Sequence, residues 1–331
     1  MAVEIVTVKE SEDGLRLDRF LRERYPALGF AHLQKILRTG QVRVEGARAK
    51  AQTRLEAGQS VRVPPLGEVA GRAPEAKPKK PRNDADLDFI RGLVLYEDRD
   101  VMVLNKPHGL AVQGGSGTPR HIDGMLEALA GPDGERPRLV HRLDRDTAGC
   151  LVVAKSRKAA AELGRTFRSR SARKIYWALV PGIPNPRQGR ISTYLAKDRG
   201  GAPGNEKMRV ARHGEDEASH AITYYAVVDK AAKQAAWLSL KPVTGRTHQL
   251  RAHLAHIGHP ILGDPKYGGM VEGLPEGFPR KLMLLARRIT LPGPRGTLID
   301  VTAPLPEHFR SAFDLFGFSA GSEDPILDAP D

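Results

Sequence analysis

The chain has 331 residues, 40% of them apolar and 5% aromatic, a length that supports one small and one large folded unit. Its formal net charge of +13 favours polyanionic partners, nucleic acid first and an anionic membrane surface second. A single cysteine, Cys150, excludes an internal disulfide and a cysteine-built metal cage, and no run of about 18 apolar residues exists to span a bilayer.

Met1 to Lys9 alternates apolar and charged residues and lacks the apolar run of a signal peptide, so a cytoplasmic protein is expected. Leu17, Phe20 and Leu21 fall at i, i+3 and i+4 among Arg16, Arg19, Arg22 and Arg24, predicting a short helix with a basic face. A second helix follows, with Leu33, Ile36 and Leu37 inward, His32, Lys35 and Arg38 around them, and Gly40 as its cap. Val42 and Val44 alternate with Gln41, Arg43 and Glu45, and Val61 and Val63 with Ser60 and Arg62. Both stretches read as strands with one solvated face. Residues 14–65 are therefore expected to form a small, arginine-dense RNA-docking domain. Residues 66–87 follow as an extended linker, with Pro74, Pro78 and Pro81 and a basic run from Lys77 to Arg82.

A larger domain is expected over 88–317. Val94–Glu97 and Val101–Leu104 flank the Asp98-Arg99-Asp100 turn as a hairpin, the second strand apolar enough to be covered on both faces. Met125, Leu126 and Leu129 suggest a helix, Leu151–Ala154 a buried strand, and Ala159, Ala160, Leu163 and Phe167 a further helix. Ile175, Trp177 and Leu179 alternate with Tyr176, Ala178 and Val180, and Ala221–Val228 and Trp237–Leu240 give two more strands. Helices and strands mix without a regular βαβ rhythm, which argues for an α+β fold on a mainly antiparallel mixed sheet. Gly114-Gly115-Ser116-Gly117 lacks the lysine and helix start of a phosphate loop and reads as a flexible turn. Residues 318–331 read as a disordered acidic tail, with four acids and no base from Ser319 onward.

The chemistry concentrates in His141-Arg142-Leu143-Asp144-Arg145-Asp146-Thr147-Ala148-Gly149, a charged loop between two apolar strands. Asp146 and Thr147 are typical turn formers. Asp144 is the better chemical candidate, because basic neighbours on both sides favour its ionised form. His248, His253, His256 and His259 crowd one segment. Without an HExxH pattern they read as packing and hydrogen-bonding residues, and no metal site is expected.

The loop closely resembles the signature of the RluA-like pseudouridine synthases. Val103-Leu104-Asn105-Lys106-Pro107, Lys174 to Val180, and Lys241 to Arg251 running on through Gly258 to Gly268 resemble three further stretches of that family, in order. The first unit looks like the RNA-binding domain named after ribosomal protein S four. The resemblance implies a uridine isomerase that needs no cofactor and acts on large-subunit (23S) ribosomal RNA. A monomer with no membrane partner is expected. Asp144 would be its catalytic carboxylate and Arg251 the arginine that pairs with it. Tyr176 would stack on the base and offer its hydroxyl for proton transfer. Arg142 would enter the gap left by a flipped nucleotide. Lys106, Lys35, Arg38, Arg168, Arg173, Lys174 and Arg246 are expected to contact RNA, within basic stretches such as Lys155 to Lys174, where eight basic side chains stand against one acid. Thr147, Gly149 and Lys106 itself are expected to be structural or substrate-positioning. The sequence departs from the family at Leu285, where histidine is common, and at Ala148, where serine is common. A non-catalytic ribosome-assembly factor with the same fold is the alternative, and a histidine-based metal hydrolase a more distant one.

Overall fold

The computed structural model describes residues 3–66, 83–115, 118, 120–131, 134–198, 200, 207–270 and 272–328. Most of the expected linker, the Ser116-Gly117 half of the glycine turn, residues 199 and 201–206, and the last three residues of the tail lie outside these. The chain divides into two compact units, the first holding residues up to Asn83 with Ser156–Ala161, the second Asp84–Lys155 and Glu162–Asp331. No helix among the described residues is long and apolar enough to cross a membrane.

In the first unit, strands β1 (Glu4–Thr7), β2 (Arg43–Val44), β3 (Ala47–Arg48) and β4 (Ser60–Val63) form an antiparallel sheet in the order β1-β4-β2-β3. Helices α1 (Leu17–Arg24) and α2 (Phe30–Arg38) contribute Leu17, Phe20, Leu21, Leu33, Ile36 and Leu37 to one core with Val44, Val61 and Val63. The β2–β3 hairpin turns through Glu45 and Gly46, both at positive φ (49° and 73°), as a two-residue turn between twisted strands requires. β1 precedes residue 14, so this unit starts earlier than the sequence suggested: an edge strand of four residues carries too little periodicity to be read alone.

The second unit opens with α3 (Asp84–Gly92), which starts inside the expected linker and buries Ile90. β5 (Val94–Glu97) and β6 (Val101–Lys106) form the expected hairpin, and β6 is buried along nearly all its length. After α4 (Ile122–Met125) and β7 (Arg138–Leu139) comes β8 (Ala148–Ala154), buried at every position, then α5 (Arg157–Arg168) and β9 (Arg173–Pro181). β10 (Gln188–Lys197), β11 (Met208–Ala211), β12 (Ser219–Ala231) and β13 (Ala235–Pro242) lead to α6 (Gln249–His256). The chain finishes through β14 (Leu284–Pro292), β15 (Leu298–Thr302) and α7 (Glu307–Phe316).

These strands make one eleven-stranded mixed sheet, antiparallel except where β14 runs parallel to β8. That fold is α+β, as the mixed pattern implied. Leu285 and Ala286 lie opposite Ala148 and Gly149 at the parallel pairing. A Cβ on Gly149 (φ +106°) would sit 2.2 Å from the Ala286 carbonyl oxygen, so only glycine lets β8 begin there. Leu285, where the resemblance leads one to expect histidine, is fully buried in the main core and packs as an apolar side chain. The core centres on Trp177 and Trp237, ring centroids 4.5 Å apart, against Phe309 and Phe313 of α7.

The acidic tail departs from expectation. Asp324 accepts hydrogen bonds from the Trp177 indole N–H (3.0 Å) and the Ser239 hydroxyl (2.8 Å), and a 3-10 turn follows at Pro325–Asp328 with Ile326 buried. Two buried donors need an acceptor, and one carboxylate supplying both outweighs a disorder-prone composition.

Candidate active site

Leu143 explains how the charged loop presents its groups. Its side chain is buried in the core beside Met102, Leu104 and Leu151, while Arg142 on one side is exposed and Asp144 on the other is half-buried. The Thr147 N–H donates to the Asp144 carbonyl (3.2 Å), closing the turn just before β8. His141 is held as a structural group: its Nε2 accepts the Val152 N–H (2.8 Å) and its ring stacks on Phe167 at 4.6 Å. Burial pushes it down to about 3, so it is neutral at pH 7. Asp146 does not converge on Asp144; its ion-pair partner is Arg145, at 3.8 Å.

A cleft of about 130 Å³ gathers Arg142, Asp144, Lys174, Tyr176, Arg246 and Arg251. Six of the eleven side chains selected from the sequence thus line one concavity. Tyr176 is half-buried, and burial followed by the nearby Asp144 carboxylate raises its phenol. Lys174 is half-buried and pushed down by burial and then by Arg170. Arg246 is exposed, its Nε donating to the His220 carbonyl (3.3 Å). Arg168 is exposed at the end of α5 and Arg173 half-buried at the start of β9, and neither lines the cleft. Lys35 and Arg38 are exposed on α2 of the first unit.

At Lys106 the structure agrees with a structural part and corrects the expected RNA contact. It is fully buried, and its ammonium donates to the carbonyls of Pro107 (2.9 Å), Leu110 (2.8 Å) and Arg145 (2.8 Å). All three protons have protein acceptors, so no phosphate can reach it. Burial lowers it to about 7 against the pull of Asp146 and Asp144. Lys106 ties β6 to the reactive loop, and a lysine in a sequence gives no sign of such a carbonyl cage.

Arg251 reaches Asp144 from α6, Nη1 to Oδ2 at 3.4 Å. Its main partner is a different carboxylate. Nε and Nη2 make a two-pronged pair with Asp264, both bonds 2.7 Å, and Asp264 is fully buried. This fork-to-fork pairing leaves one edge of the guanidinium for Asp144. Tyr267 completes the surroundings: Arg251 lies 5.2 Å from its ring centroid, and its hydroxyl accepts the Met208 N–H (2.7 Å). The Tyr267 hydroxyl also meets His248 Nδ1 at 3.1 Å, and His248 Nε2 stands 3.8 Å from Asp144 Oδ2. His248 adopts a left-handed backbone (φ 49°), strain of the kind that gathers at functional sites. Burial pushes its imidazole down, opposed by Asp144.

The sequence assigned no role to Asp264 or Tyr267, although both stand in Gly263-Asp264-Pro265-Lys266-Tyr267-Gly268, and it gave His248 only packing and hydrogen bonding. The missing signal is arithmetic: a buried arginine facing one half-exposed acid at 3.4 Å is under-compensated, and a second carboxylate is required. Helix α6 is buried from Gln249 through Leu254. A polar network holds it. Gln249 Nε2 donates to the Ile222 carbonyl and the Thr223 hydroxyl, and His253 meets the Thr223 and Thr193 hydroxyls at 2.9 and 3.0 Å. The other crowded histidines disperse likewise, His259 Nδ1 meeting the Pro181 carbonyl. Among the described residues no three His, Cys, Asp or Glu converge as a metal-holding group.

The family model described as RNA pseudouridylate synthase matches residues 100–256, which carry the Asp144 loop, the Tyr176 strand and the Arg251 helix. The ribosomal large subunit pseudouridine synthase C of Vibrio cholerae is 36% identical over 94% of this chain and 96% of its own length. Its namesake from Escherichia coli K12 is 37% identical over 93% and 95%. Among solved structures, human RNA pseudouridylate synthase domain containing 4 superposes with a TM-score of 0.59 at 28% identity, covering 71% of this chain and 97% of its own. With its site built around the matched segment and relatives this similar along nearly its whole length, the chain belongs to the RNA pseudouridylate synthases.

Proposed function

We propose that the protein isomerises uridine to pseudouridine in large-subunit ribosomal RNA, with Asp144 acting at the ribose of a nucleotide drawn into the cleft. One observation carries this reading: a half-buried carboxylate in a basic cleft, 3.4 Å from a guanidinium that a second carboxylate holds in place. The names of the relatives support the choice of RNA. In the reaction the bond from ring N1 to the anomeric carbon breaks, the uracil turns, and C5 takes that carbon. C5 loses a proton and N1 gains one, so substrate and product have the same atoms and no electrons are exchanged.

Each side chain then has a defined part. Arg251 orients Asp144, with Asp264 fixing Arg251 and His248 standing behind the carboxylate. Tyr176 works with its proton on, ring against the base and hydroxyl as a proton source, because burial and Asp144 both disfavour its phenolate. Exposed Arg142 at the cleft mouth suits the space vacated by a flipped base, where a planar cation stacks. The first unit docks RNA and the second acts on it. A ribosomal RNA substrate and a lone cysteine support a cytoplasmic enzyme.

The test is release of tritium from uracil C5 in labelled ribosomal RNA. Asp144→Asn should lose on the order of 10³-fold or more in rate while still binding RNA. Equal release from both proteins removes Asp144 from the chemistry. Absence of release from the wild type leaves an RNA-binding assembly factor instead.

A further inference from the structure

The solvated face of the first unit's sheet carries a pattern that catalysis does not use. Val61, Val63 and Val44 turn inward, while Arg62 and Arg43 between them are exposed. The strand register sets Arg62 opposite Arg43, and Arg43 opposite Arg48 on β3. Three exposed arginines therefore stand side by side across three neighbouring strands, a row about 10 Å long at the usual strand spacing. Like charges directly opposite one another destabilise a sheet. A fold that keeps them has another reason to.

The row has no internal neutralisation. Arg43 Nη1 donates to the Gly46 carbonyl (3.1 Å), Arg62 Nη1 to the Gln41 carbonyl (3.1 Å) and Arg48 Nη2 to the Arg38 carbonyl. Among the described residues no carboxylate lies in ion-pair reach of these three. The two nearby acids are engaged elsewhere. Glu45 accepts the Ser60 N–H, which holds its carboxyl below the usual range, and Glu4 accepts the Tyr25 hydroxyl (2.6 Å) from the core side.

The helix side of the same unit differs. There Arg16 pairs with Asp18 (2.6 Å), Arg19 with Glu23 (2.9 Å) and Arg24 with Glu12 (3.0 Å). Pairing is thus available to arginines in this unit, and among the described residues the three of the row make no such pair. The geometry is also held: the Arg48 stem lies over Gly40, where a Cβ would come 3.2 Å from Nε. Each guanidinium keeps most of its five N–H donors for a ligand.

We infer that Arg62, Arg43 and Arg48 form a phosphate-binding row that docks the sugar-phosphate backbone of the RNA substrate. A linear array of cations without acids matches a linear array of anions, and contacts of this kind fix position without reading sequence. The row ends at the carbonyl of Arg38, so the exposed Arg38 and Lys35 of α2 extend the same basic surface. This rests on RNA being the substrate, as proposed above, and is independent of which group performs the isomerisation.

The experiment measures affinity of the full-length protein for a ribosomal RNA fragment across a salt series, together with kcat and KM. Arg43→Gln/Arg48→Gln/Arg62→Gln should flatten the slope of log affinity against log salt by about 2 to 3, since each phosphate contact contributes about 0.7 to 0.9. KM should rise at least tenfold with kcat at saturating RNA unchanged. Replacing all three by lysine should keep the slope, because the charge remains. Arg16→Gln/Arg19→Gln, which removes arginines already paired, should change the slope by less than about 0.5. A glutamine triple with the wild-type slope overturns the inference. So does a lysine triple that loses slope like the glutamine one, or a control that matches the row per charge removed. Wild type without turnover fails the functional proposal alone and leaves the binding comparison readable.

Discussion

Arg251 in the second unit and Arg43, Arg48 and Arg62 in the first carry the same guanidinium into opposite surroundings. Arg251 is 3% exposed and faces two carboxylates; the other three lie open to solvent and, among the described residues, face none. Burial makes the difference. A charge taken out of water must be matched by opposite charge and hydrogen bonds, whereas water solvates an exposed one well enough to leave it available. The buried arginine therefore fixes geometry, and the exposed ones are suited to set affinity and its dependence on salt.

The sharpest way to break that contrast is to remove the buried partner. Asp264→Ala strands Arg251 with one distant carboxylate, and the second unit should lose about 3–5 kcal/mol in denaturant unfolding. Asp144→Asn removes only the longer, half-exposed contact and should cost about 1 kcal/mol or less. If the two substitutions destabilise equally, Asp264 is not the clamp described above.

Tyr176→Phe comes next and bears on chemistry. The ring is kept and the hydroxyl lost, so kcat should fall about 10²-fold with KM nearly unchanged. Tyr176→Leu should also raise KM, because the stacking surface goes with the proton. Equal kinetics for Phe and Leu would show that the ring does not meet the base, and wild-type kcat in Tyr176→Phe would show that the hydroxyl is not the proton source.

Much of this was readable from the chain and some was not, for identifiable reasons. Alternation predicted the strands bearing Arg43 and Arg62, because a half-solvated strand has a period of two. It could not predict that the two arginines face one another, since register is set between strands and not along them. The Asp144 loop was legible because its charges interrupt apolar strands. Asp264 was not, since its role exists only when residue 251 is folded against it. The RNA contact expected of Lys106 fails because its three acceptors are backbone carbonyls, which no side-chain pattern reveals. Helix α7 could have been found: Phe309, Ala312 and Phe313 fall at i, i+3 and i+4.

The units should also part company in acid. In the second, burial lowers His141 to about 3 and His253 and His308 to about 4, below the ordinary 6.5. The unfolded chain binds these protons from about pH 6.5 downward while the folded one does not. Stability is therefore fully present above pH 6.5 and lost as pH falls toward 4, by up to about 1.4 kcal/mol per pH unit for each group. The first unit's histidine, His32, is exposed. Hydrogen exchange at pH 7 and 5 should show the second unit opening preferentially, and His253→Gln should reduce that difference. Equal acid sensitivity of both units would contradict the assignment.

The smallest effect discriminates best, because its sign differs between the two kinds of arginine. In the row, Arg43 has a like charge on either side, each a cross-strand neighbour that costs rather than contributes. Arg43→Thr supplies a residue that suits a strand and removes both repulsions, and should stabilise the first unit by about 0.2–1 kcal/mol while weakening RNA binding. Arg19→Thr removes an i,i+4 pair and introduces a poorer helix former, and should destabilise slightly with little effect on RNA. A surface kept for a ligand is one whose residues are poor choices for the fold alone, so stability and binding must move in opposite directions at Arg43. Parallel losses would mean that its bond to the Gly46 carbonyl holds the hairpin, and that Arg43 is part of the scaffold.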